Sequence, residues 1–289
     1  MAMAFPATAE TLFEAFPDLK DRLPAEIATR AGQIELRHGT LPLPGGKATL
    51  ALTPDVYALD AEDAKYVIET LWGNPPSPQT LGMIFPGKSS PFDEAWAVEL
   101  TYDPMGYVSD EEAAELDPDA LLATMQEETR SENELRQSNG YPTVSVIGWA
   151  VPPAYDAAHH KLHWAKELKF SDTEGNTLNY NIRILGRHGV LVANFIASMA
   201  LLPEVQKAAP SIMDMINFDT GARYSDFQPG VDTVAAVGIG GLIATKVAAK
   251  TGLLVVALAL LKKGWFLLLL PLIWAKNLLF KKRTEDGSA

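Results

Sequence analysis

Hydrophobic and polar residues alternate with a period of two in four segments between residues 143 and 197. This alternation, combined with many β-branched and aromatic residues, is typical of strands that bury one face. Short connections such as SDTEGNT and RH separate neighbouring segments. Because antiparallel neighbours need only a short turn between them, the pattern predicts an antiparallel meander. The four predicted strands are TVSVIGWAV, KLHWAKELKF, LNYNIRILG and GVLVANFIA.

Further strands and helices are predicted before and after this meander. The stretch IELRHGTLPLPGGKATLAL predicts a strand pair with its turn at residues 44–46, and AWAVELTY predicts another strand. A helix is predicted in DAEDAKYVIETLWG, capped by Asp60 and closed by Gly73. An acidic helical region ends at residue 140, and another helix is expected over residues 202–218. The predicted fold class is therefore α+β, with a mainly antiparallel sheet and flanking helices.

From residue 231 onward the pattern changes to long apolar runs without charge. The runs are 233–245, 251–261 and 264–275. Each is shorter than the roughly 20 residues that a helix needs to cross a bilayer. Joining the last two runs gives a stretch long enough to cross, with Lys262 and Lys263 near its middle. Alternatively, Gly264 ends a helix there, and the two lysines lie at the surface between re-entrant or interfacial helices.

The residues that flank these runs favour a membrane location over a buried core hairpin. Trp265 and Trp274 are suited to headgroup depth, and Lys281, Lys282 and Arg283 predict a cytoplasmic flank by the positive-inside rule. We therefore expect C-terminal membrane-associated helices within residues 232–283, and we expect the lipid bilayer as a partner. The number of crossings stays open.

Small residues recur at every fourth position at the start of this segment. On a helix capped by Asp232 they would form one face along which another helix can approach closely. This arrangement predicts packing within the chain, self-association or contact with a membrane-protein partner. The alternative is a simple alanine-rich helix composition. The residues in question are Ala236, Gly240, Ala244, Ala248 and Gly252.

Charge is distributed unevenly over the 289 residues, whose net charge is -12. Residues 231–289 carry +5, so residues 1–230 carry -17. Such an acidic body repels phosphate backbones, so no nucleic acid partner is expected. The chain contains no cysteine, which excludes disulfides, thiolate metal sites and cysteine nucleophiles.

One motif match raises the question of nucleotide binding. Residues 82–89, GMIFPGKS, fit the phosphate-loop pattern G-x-x-x-x-G-K-S/T. A phosphate loop joins a buried strand to a helix, yet a proline-rich stretch precedes Gly82 and a strand pattern follows Pro91. Pro86 also lacks the amide that a phosphate cradle would use. We therefore predict neither a nucleotide nor any other cofactor.

Histidines provide the remaining candidate chemistry. On a helix, His159, His163 and Glu167 would form a metal-binding face, but the surrounding alternation indicates a strand, so no metal site is predicted. On a strand, His163 and Glu167 are expected to share a polar face with Asn181 and Arg183. This face is either simply solvated or a shallow site in which Glu167 acts as a base and Arg183 holds an anion. Whether the protein is an enzyme stays open.

Distinctive blocks occur along the chain, namely LWGNPP, LGMIFP, GYVSDEEA, GYPTVSVIGWAVPPAYD, HKLHWAKEL, LNYNIRILGRHGVLVAN, GARYSDFQPG and VAAVGIGGLIA. In this order they resemble a bacterial family of uncharacterised membrane-anchored proteins that is catalogued as a domain of unknown function. The resemblance spans residues 40–261 and implies an anchored globular domain without assigned chemistry. Members usually resemble exported proteins with an N-terminal signal sequence, whereas this chain begins MAMAFPATAE and has its first basic residue at Lys20.

These patterns together predict a binding or accessory module held at the bacterial plasma membrane. The alternative is an anchored hydrolase-like enzyme that uses the face around His163 and Glu167. The domain is expected to be periplasmic if a signal sequence precedes this chain, and cytoplasmic otherwise. The predicted organisation is an N-terminal segment (1–39), an acidic α+β domain (40–220), a linker (221–231), the anchor (232–283) and a polar tail (284–289).

Overall fold

The computed structural model describes residues 7–244 apart from 46, 75 and 78, and these residues contain twelve strands and six α-helices. The strands are β1 (Thr8–Thr11), β2 (Glu35–His38), β3 (Thr40–Pro42), β4 (Ala48–Ala51), β5 (Val56–Asp60), β6 (Thr80–Pro86), β7 (Ala97–Asp103), β8 (Val144–Asp156), β9 (Lys161–Phe170), β10 (Thr177–Leu185), β11 (Val190–Ser198) and β12 (Ile216–Phe218). The helices are α1 (Leu12–Ala15), α2 (Leu19–Arg22), α3 (Ala25–Ala31), α4 (Ala61–Lys65), α5 (Pro118–Ser138) and α6 (Leu202–Met215).

Nine of the described strands form one large sheet in the order β1-β2-β5-β6-β7-β11-β10-β9-β8. Its neighbouring strands are antiparallel, as are those of a smaller sheet in the order β12-β4-β3. β8 to β11 are consecutive in the chain and adjacent in the sheet, so the predicted antiparallel meander is confirmed. The protein is a mixed α+β fold with a large antiparallel sheet.

Local sequence explains where the helices begin. The Asp60 carboxylate accepts the backbone N–H groups of Glu62 and Asp63, so the predicted cap of α4 is confirmed. Asp117 caps α5 in the same way, and Pro118 occupies the first turn, where its missing N–H costs nothing. α6 buries residues at a spacing of three or four, which places one side of the helix against the sheet. These buried residues are Val205, Ala209, Ile212 and Met215.

Different elements cover the two faces of the large sheet. α6 and the small sheet pack on one face, the α6 face, around Ile182 and Phe195. α5 packs on the opposite face, the α5 face, where Met125 joins Trp164 in a hydrophobic cluster. Helices α1 to α4 cover another part of the α5 face around Met83. The α5 face residues that lie between α5 and helices α1 to α4 are mostly polar.

The prediction of a helix that begins at Asp232 is wrong for residues 232–244. Val234 instead forms a parallel bridge with Tyr107, and residues Ile239–Leu242 form a 3₁₀ turn. The Asp232 carboxylate accepts hydrogen bonds from the Arg187 guanidinium instead of capping a helix. Glycines at 238, 240 and 241 also weaken helix propensity in this stretch. Residues 232–244 therefore belong to the same compact unit as the sheet, and this unit ends at Ala244.

The structure tests the predicted membrane segment only up to residue 244. Ala236, Gly240 and Ala244 do not share an α-helical face, because the backbone around them is irregular or 3₁₀. Within the described residues, no helix has the length and hydrophobicity needed to span a bilayer. The other predicted packing and interface residues lie outside the described part of the chain. They are Ala248, Gly252, Trp265, Trp274, Lys281, Lys282 and Arg283.

The phosphate-loop match lies in a different structural context from a phosphate loop. Gly82 to Pro86 form most of β6, which pairs antiparallel with β5 and β7. Lys88 follows in an exposed turn, and that turn leads to β7 and not to a helix. A Cβ atom at Gly82 would lie 2.6 Å from the Leu59 carbonyl oxygen, so glycine here permits close strand packing. The motif therefore has a structural role in β6.

Candidate functional site

The four residues proposed from the sequence do not converge on one site. His163 pairs with Ile182 and Glu167 with Leu178, whereas Asn181 pairs with Trp164. Because paired residues of antiparallel strands lie on the same face, His163 and Glu167 lie on the α6 face. Asn181 and Arg183 lie on the α5 face. The prediction that the four residues share one polar face is therefore wrong. The face of each side chain depends on the register between β9 and β10, and a change of one residue in that register would move every side chain of a strand to the other face.

His163 and Glu167 have structural environments on the α6 face. The His163 ring stacks on Tyr180 with centroids 6.0 Å apart, and burial lowers the pKa of His163. Glu167 accepts a hydrogen bond of 2.5 Å from the Asn176 amide in the β9–β10 loop. His163 and Glu167 lie on the opposite face of the sheet from Asn181 and Arg183, so the geometry does not support a joint catalytic role for the four residues.

A different group of polar residues converges near the end of the meander. Asp110 precedes α5, Tyr155 ends β8, His160 lies in the β8–β9 turn, and Tyr224 lies in a 3₁₀ turn after β12. The Tyr155 hydroxyl donates to Oδ2 of Asp110 at 2.5 Å, and the Tyr224 hydroxyl lies 2.9 Å from Oδ1. Nδ1 of His160 lies 3.2 Å from the Tyr155 oxygen and 3.4 Å from Oδ2 of Asp110. The four side chains form one hydrogen-bonded network.

This network assigns a donor role to Nδ1 of His160. The single hydroxyl proton of Tyr155 is used in the short bond to Asp110, so the Tyr155 oxygen accepts from His160. Nδ1 therefore carries a proton and acts as the donor. Nε2 has no hydrogen-bond partner among the described residues. The imidazole is also held from one side by Tyr224, whose ring is stacked 4.1 Å away.

Asp110 is charged in this network, and both tyrosines are neutral. Burial raises the pKa of Asp110, but hydrogen bonds from Tyr155, Tyr224 and His160 together outweigh it and lower the pKa. Burial raises the pKa of Tyr155 and of Tyr224, and their hydrogen bonds to Asp110 raise it further. The carboxylate therefore accepts and the hydroxyls donate at neutral pH.

The turn that carries His160 has an unusual backbone. His160 has φ +52°, and no other described non-glycine residue has a positive φ. Such conformations are costly for residues with a Cβ and persist where the surroundings enforce them. Asp156 stabilises the turn by accepting the N–H groups of Ala158 and His159, and the His160 carbonyl accepts the N–H of Leu185. In this conformation the His160 ring lies over Tyr224.

A cavity of about 320 Å³ opens beside His160. Its apolar wall comes from Ile184, Leu185 and Phe218, and its polar wall is mainly basic. Lys161 is 7% exposed and donates to the Met213 carbonyl at 2.6 Å; burial lowers the pKa of this lysine. The remaining lining residues are Ala158, His159, Asn217, Arg223, Tyr224 and Ser225. No described residue of the lining is acidic. Among the described residues there is also no cluster of three metal-ligating side chains.

Residues 35–273 match a family described as "Protein of unknown function (DUF2167)". No curated protein matches the chain. Among solved structures, the solution structure of cyanobacterial PsbP (CyanoP) from Synechocystis sp. is similar with a TM-score of 0.36 and 10% identity, covering 62% of this chain and 91% of that one. The crystal structure of the Saccharomyces cerevisiae Ran-binding protein Mog1p gives a TM-score of 0.28 and 13% identity, covering 60% of this chain and 82% of that one.

Proposed function

The chain belongs to the DUF2167 family, and we propose that it is a binding module that holds a small anionic ligand in the cavity beside His160. The observation that supports this proposal is the contrast between the cavity and the rest of the domain. Residues 1–230 carry a net charge of -17, yet the cavity wall contains Lys161, Arg223, His159 and His160 without an acidic residue. A concave basic surface in an acidic protein concentrates anions.

The cavity wall also limits the chemistry of the ligand. Lys161 uses one of its three donors on Met213, which leaves two donors for an oxyanion. Nε2 of His160 has no partner among the described residues and can form a hydrogen bond with a polar group of the ligand. Ile184, Leu185 and Phe218 pack against a hydrocarbon or aromatic portion. The ligand class is therefore a small carboxylate or phosphate with an apolar part.

We further propose that the domain is held at the bacterial plasma membrane. This proposal is supported by the apolar runs 251–261 and 264–275, by the flanking Trp265 and Trp274, and by the basic residues 281–283. The proposed anchor lies beyond Ala244, because the chain up to that residue is part of the body. The domain is periplasmic if a signal sequence precedes the chain, and cytoplasmic otherwise.

Acid–base catalysis is a second candidate at the same cavity. The supporting observation is that Nδ1 of His160 is held by Tyr155 and Asp110, while Nε2 has no partner among the described residues and the residue lines a cavity. This candidate replaces the hydrolase-like alternative at His163 and Glu167, whose side chains lie away from Asn181 and Arg183. Turnover of a phosphate or carboxylate ester that is lost in a His160→Asn variant would support catalysis. Binding without turnover would support the binding module.

The test uses full-length protein with histidine side chains labelled for NMR. Inorganic phosphate, phenyl phosphate, benzoate and vesicles of anionic phospholipid are the probes. We expect phenyl phosphate or benzoate to shift the His160 resonances saturably, and a response to vesicles alone would identify a lipid headgroup as the ligand. Arg223→Met should weaken binding at least about tenfold, as expected for loss of a charge-assisted contact. Lys207→Met, an exposed lysine of α6, is the matched control. Unchanged His160 resonances with every probe would contradict the proposal.

A further inference from the structure

We propose a second oxyanion-binding site on the α5 face, formed by Arg183 and Lys166 and separate from the cavity beside His160. Asn181 pairs with Trp164 on one side and with Asn194 on the other, so the middle of this face carries polar side chains from three strands. Lys166 pairs with Asn179 and lies on the same face. The polar strip lies between the cluster under α5 and the cluster under α1 to α4.

Arg183 is positioned as a receptor for an oxyanion. Its Nη1 donates to the carbonyl of Ile182 and to Oδ1 of Asn194, and its Nη2 donates to Oδ1 of Asn181. The guanidinium lies 4.9 Å from the Trp164 ring, which fixes its plane. The acceptors of these hydrogen bonds are uncharged oxygens. The N–H group on Nε and one N–H group on Nη2 have no partner among the described residues. A carboxylate or phosphate matches this edge of a guanidinium.

The two cations of the strip have no direct ionic partner. Neither Arg183 nor Lys166 forms a salt bridge within the described residues, and the Lys166 ammonium group forms no hydrogen bond there. Asp103 and Glu132 influence the two cations only from a distance. Glu99 lies on the same face, but its Oε1 is occupied by the hydroxyls of Ser77 and Thr80.

Two half-buried cations on one face are costly without an anion between them. Burial lowers the pKa of Lys166 to about 8, and the nearby charge of Arg183 contributes to this decrease. Burial also lowers the pKa of Arg183 to about 10. A bound oxyanion compensates both charges and raises both pKa values again. This response gives a direct readout of occupancy, because a lysine reacts with acylating reagents only in its neutral form.

The experiment maps amine acylation by mass spectrometry on the full-length protein at pH 8, with and without inorganic phosphate or acetate. We expect the anion to reduce the labelling of Lys166 at least about fivefold, since binding raises the pKa of that amine. In Arg183→Met this protection should be lost. In Arg183→Lys it should be weaker, because an ammonium group lacks the two parallel N–H donors with which a guanidinium binds an oxyanion. Protection in Arg223→Met should be unchanged, which separates this site from the cavity beside His160.

Two controls make the result decisive. Lys207 is exposed and should be labelled equally with and without anion. Thermal unfolding of each variant shows whether the fold is retained, and Arg183→Lys keeps the charge if Arg183→Met unfolds. Labelling of Lys166 that is insensitive to phosphate and acetate would overturn the proposal. Protection that persists in both Arg183 variants would also overturn it.

Discussion

Asp232 accepts two hydrogen bonds from the Arg187 guanidinium, with Oδ2 2.7 Å from Nε and Oδ1 3.0 Å from Nη2. Oδ2 also accepts the backbone N–H of Gln228. The pair joins the β10–β11 turn to a segment 45 residues later in the chain. This ionic contact explains why Asp232 does not begin a helix.

We predict that Arg187→Met loosens residues 219–238 without unfolding the sheet, because the Asp232 carboxylate loses both donors. Limited proteolysis followed by mass spectrometry should show faster cleavage within this segment. The control is Arg130→Met, which removes an exposed pair with Glu127 on α5 and should leave the cleavage pattern unchanged. Equal cleavage rates in wild type and Arg187→Met would show that the pair does not hold the segment.

Ile239→Ala is predicted to destabilise the body of the protein. Ile239 is 0% exposed and belongs to the cluster that contains Met125, Leu162 and Trp164. Deleting buried methyl groups of isoleucine costs about 2 to 5 kcal/mol. Denaturant unfolding measures the change in the free energy of unfolding. Val234→Ala should change it little, because Val234 is 57% exposed; similar values for both variants would mean that residues 239–244 are not docked.

Asp110→Asn is predicted to reduce stability by about 1 to 2 kcal/mol at neutral pH, because hydrogen bonds to a half-buried charged group are lost. An asparagine offers one acceptor oxygen where the carboxylate accepts from Tyr155 on one oxygen and Tyr224 on the other. Chemical unfolding at pH 7 measures the loss. Asp172→Asn, at an exposed position in the β9–β10 loop, should be close to neutral.

Acid should have less effect on the Asp110→Asn variant than on the wild type. The pKa of Asp110 in the folded protein is below its ordinary value of 3.8. A carboxyl group of this kind stabilises the fold above its unfolded pKa, and the contribution is lost as the pH falls through the folded pKa. The difference in stability between wild type and variant should therefore shrink below about pH 4. A difference that stays constant down to pH 2 would contradict the assignment.

Lys88→Ala should change the free energy of unfolding by less than about 0.5 kcal/mol, as is usual for exposed positions without special contacts. Lys88 is exposed in the turn after β6. Titration of the full-length protein with ATP and magnesium should give no saturable binding. Binding that disappears in Lys88→Ala would show that the motif holds phosphate in spite of its context.

The sequence was most informative about regular elements with strong local signals. The four strands of the meander and the capped helix after Asp60 were predictable, because period-two alternation and a cap act within a few residues. β5 and β6 gave no clear signal, since β5 has only five residues and the two strands lie beside prolines at positions 54, 75, 76 and 78. Their strand character comes from pairing with each other and with β7.

The candidate site could not be assembled from sequence because it depends on long-range geometry. Tyr224 lies 114 residues after Asp110 in the chain, and the β9–β10 register decides which side chains share a face. A usable signal was nevertheless present. Asp110, Tyr155, His160 and Tyr224 all lie within blocks on which the family resemblance rests, namely GYVSDEEA, VPPAYD, HKLHWAKEL and GARYSDFQPG.

The bridge between Tyr107 and residues 233–235 has a mechanical consequence. Tyr107 donates to the carbonyl of Thr233 and accepts from the N–H of Ala235, and Asp110 lies three residues further along the same loop. Tension on the chain beyond Ala244 therefore acts on the loop of Asp110 as well as on the sheet, because Ile239 and Ile243 belong to the cluster that contains Leu162 and Trp164 of β9. The loop that orients His160 is therefore mechanically coupled to the segment through which the chain leaves the body, so a pull on that segment can displace Asp110 from His160.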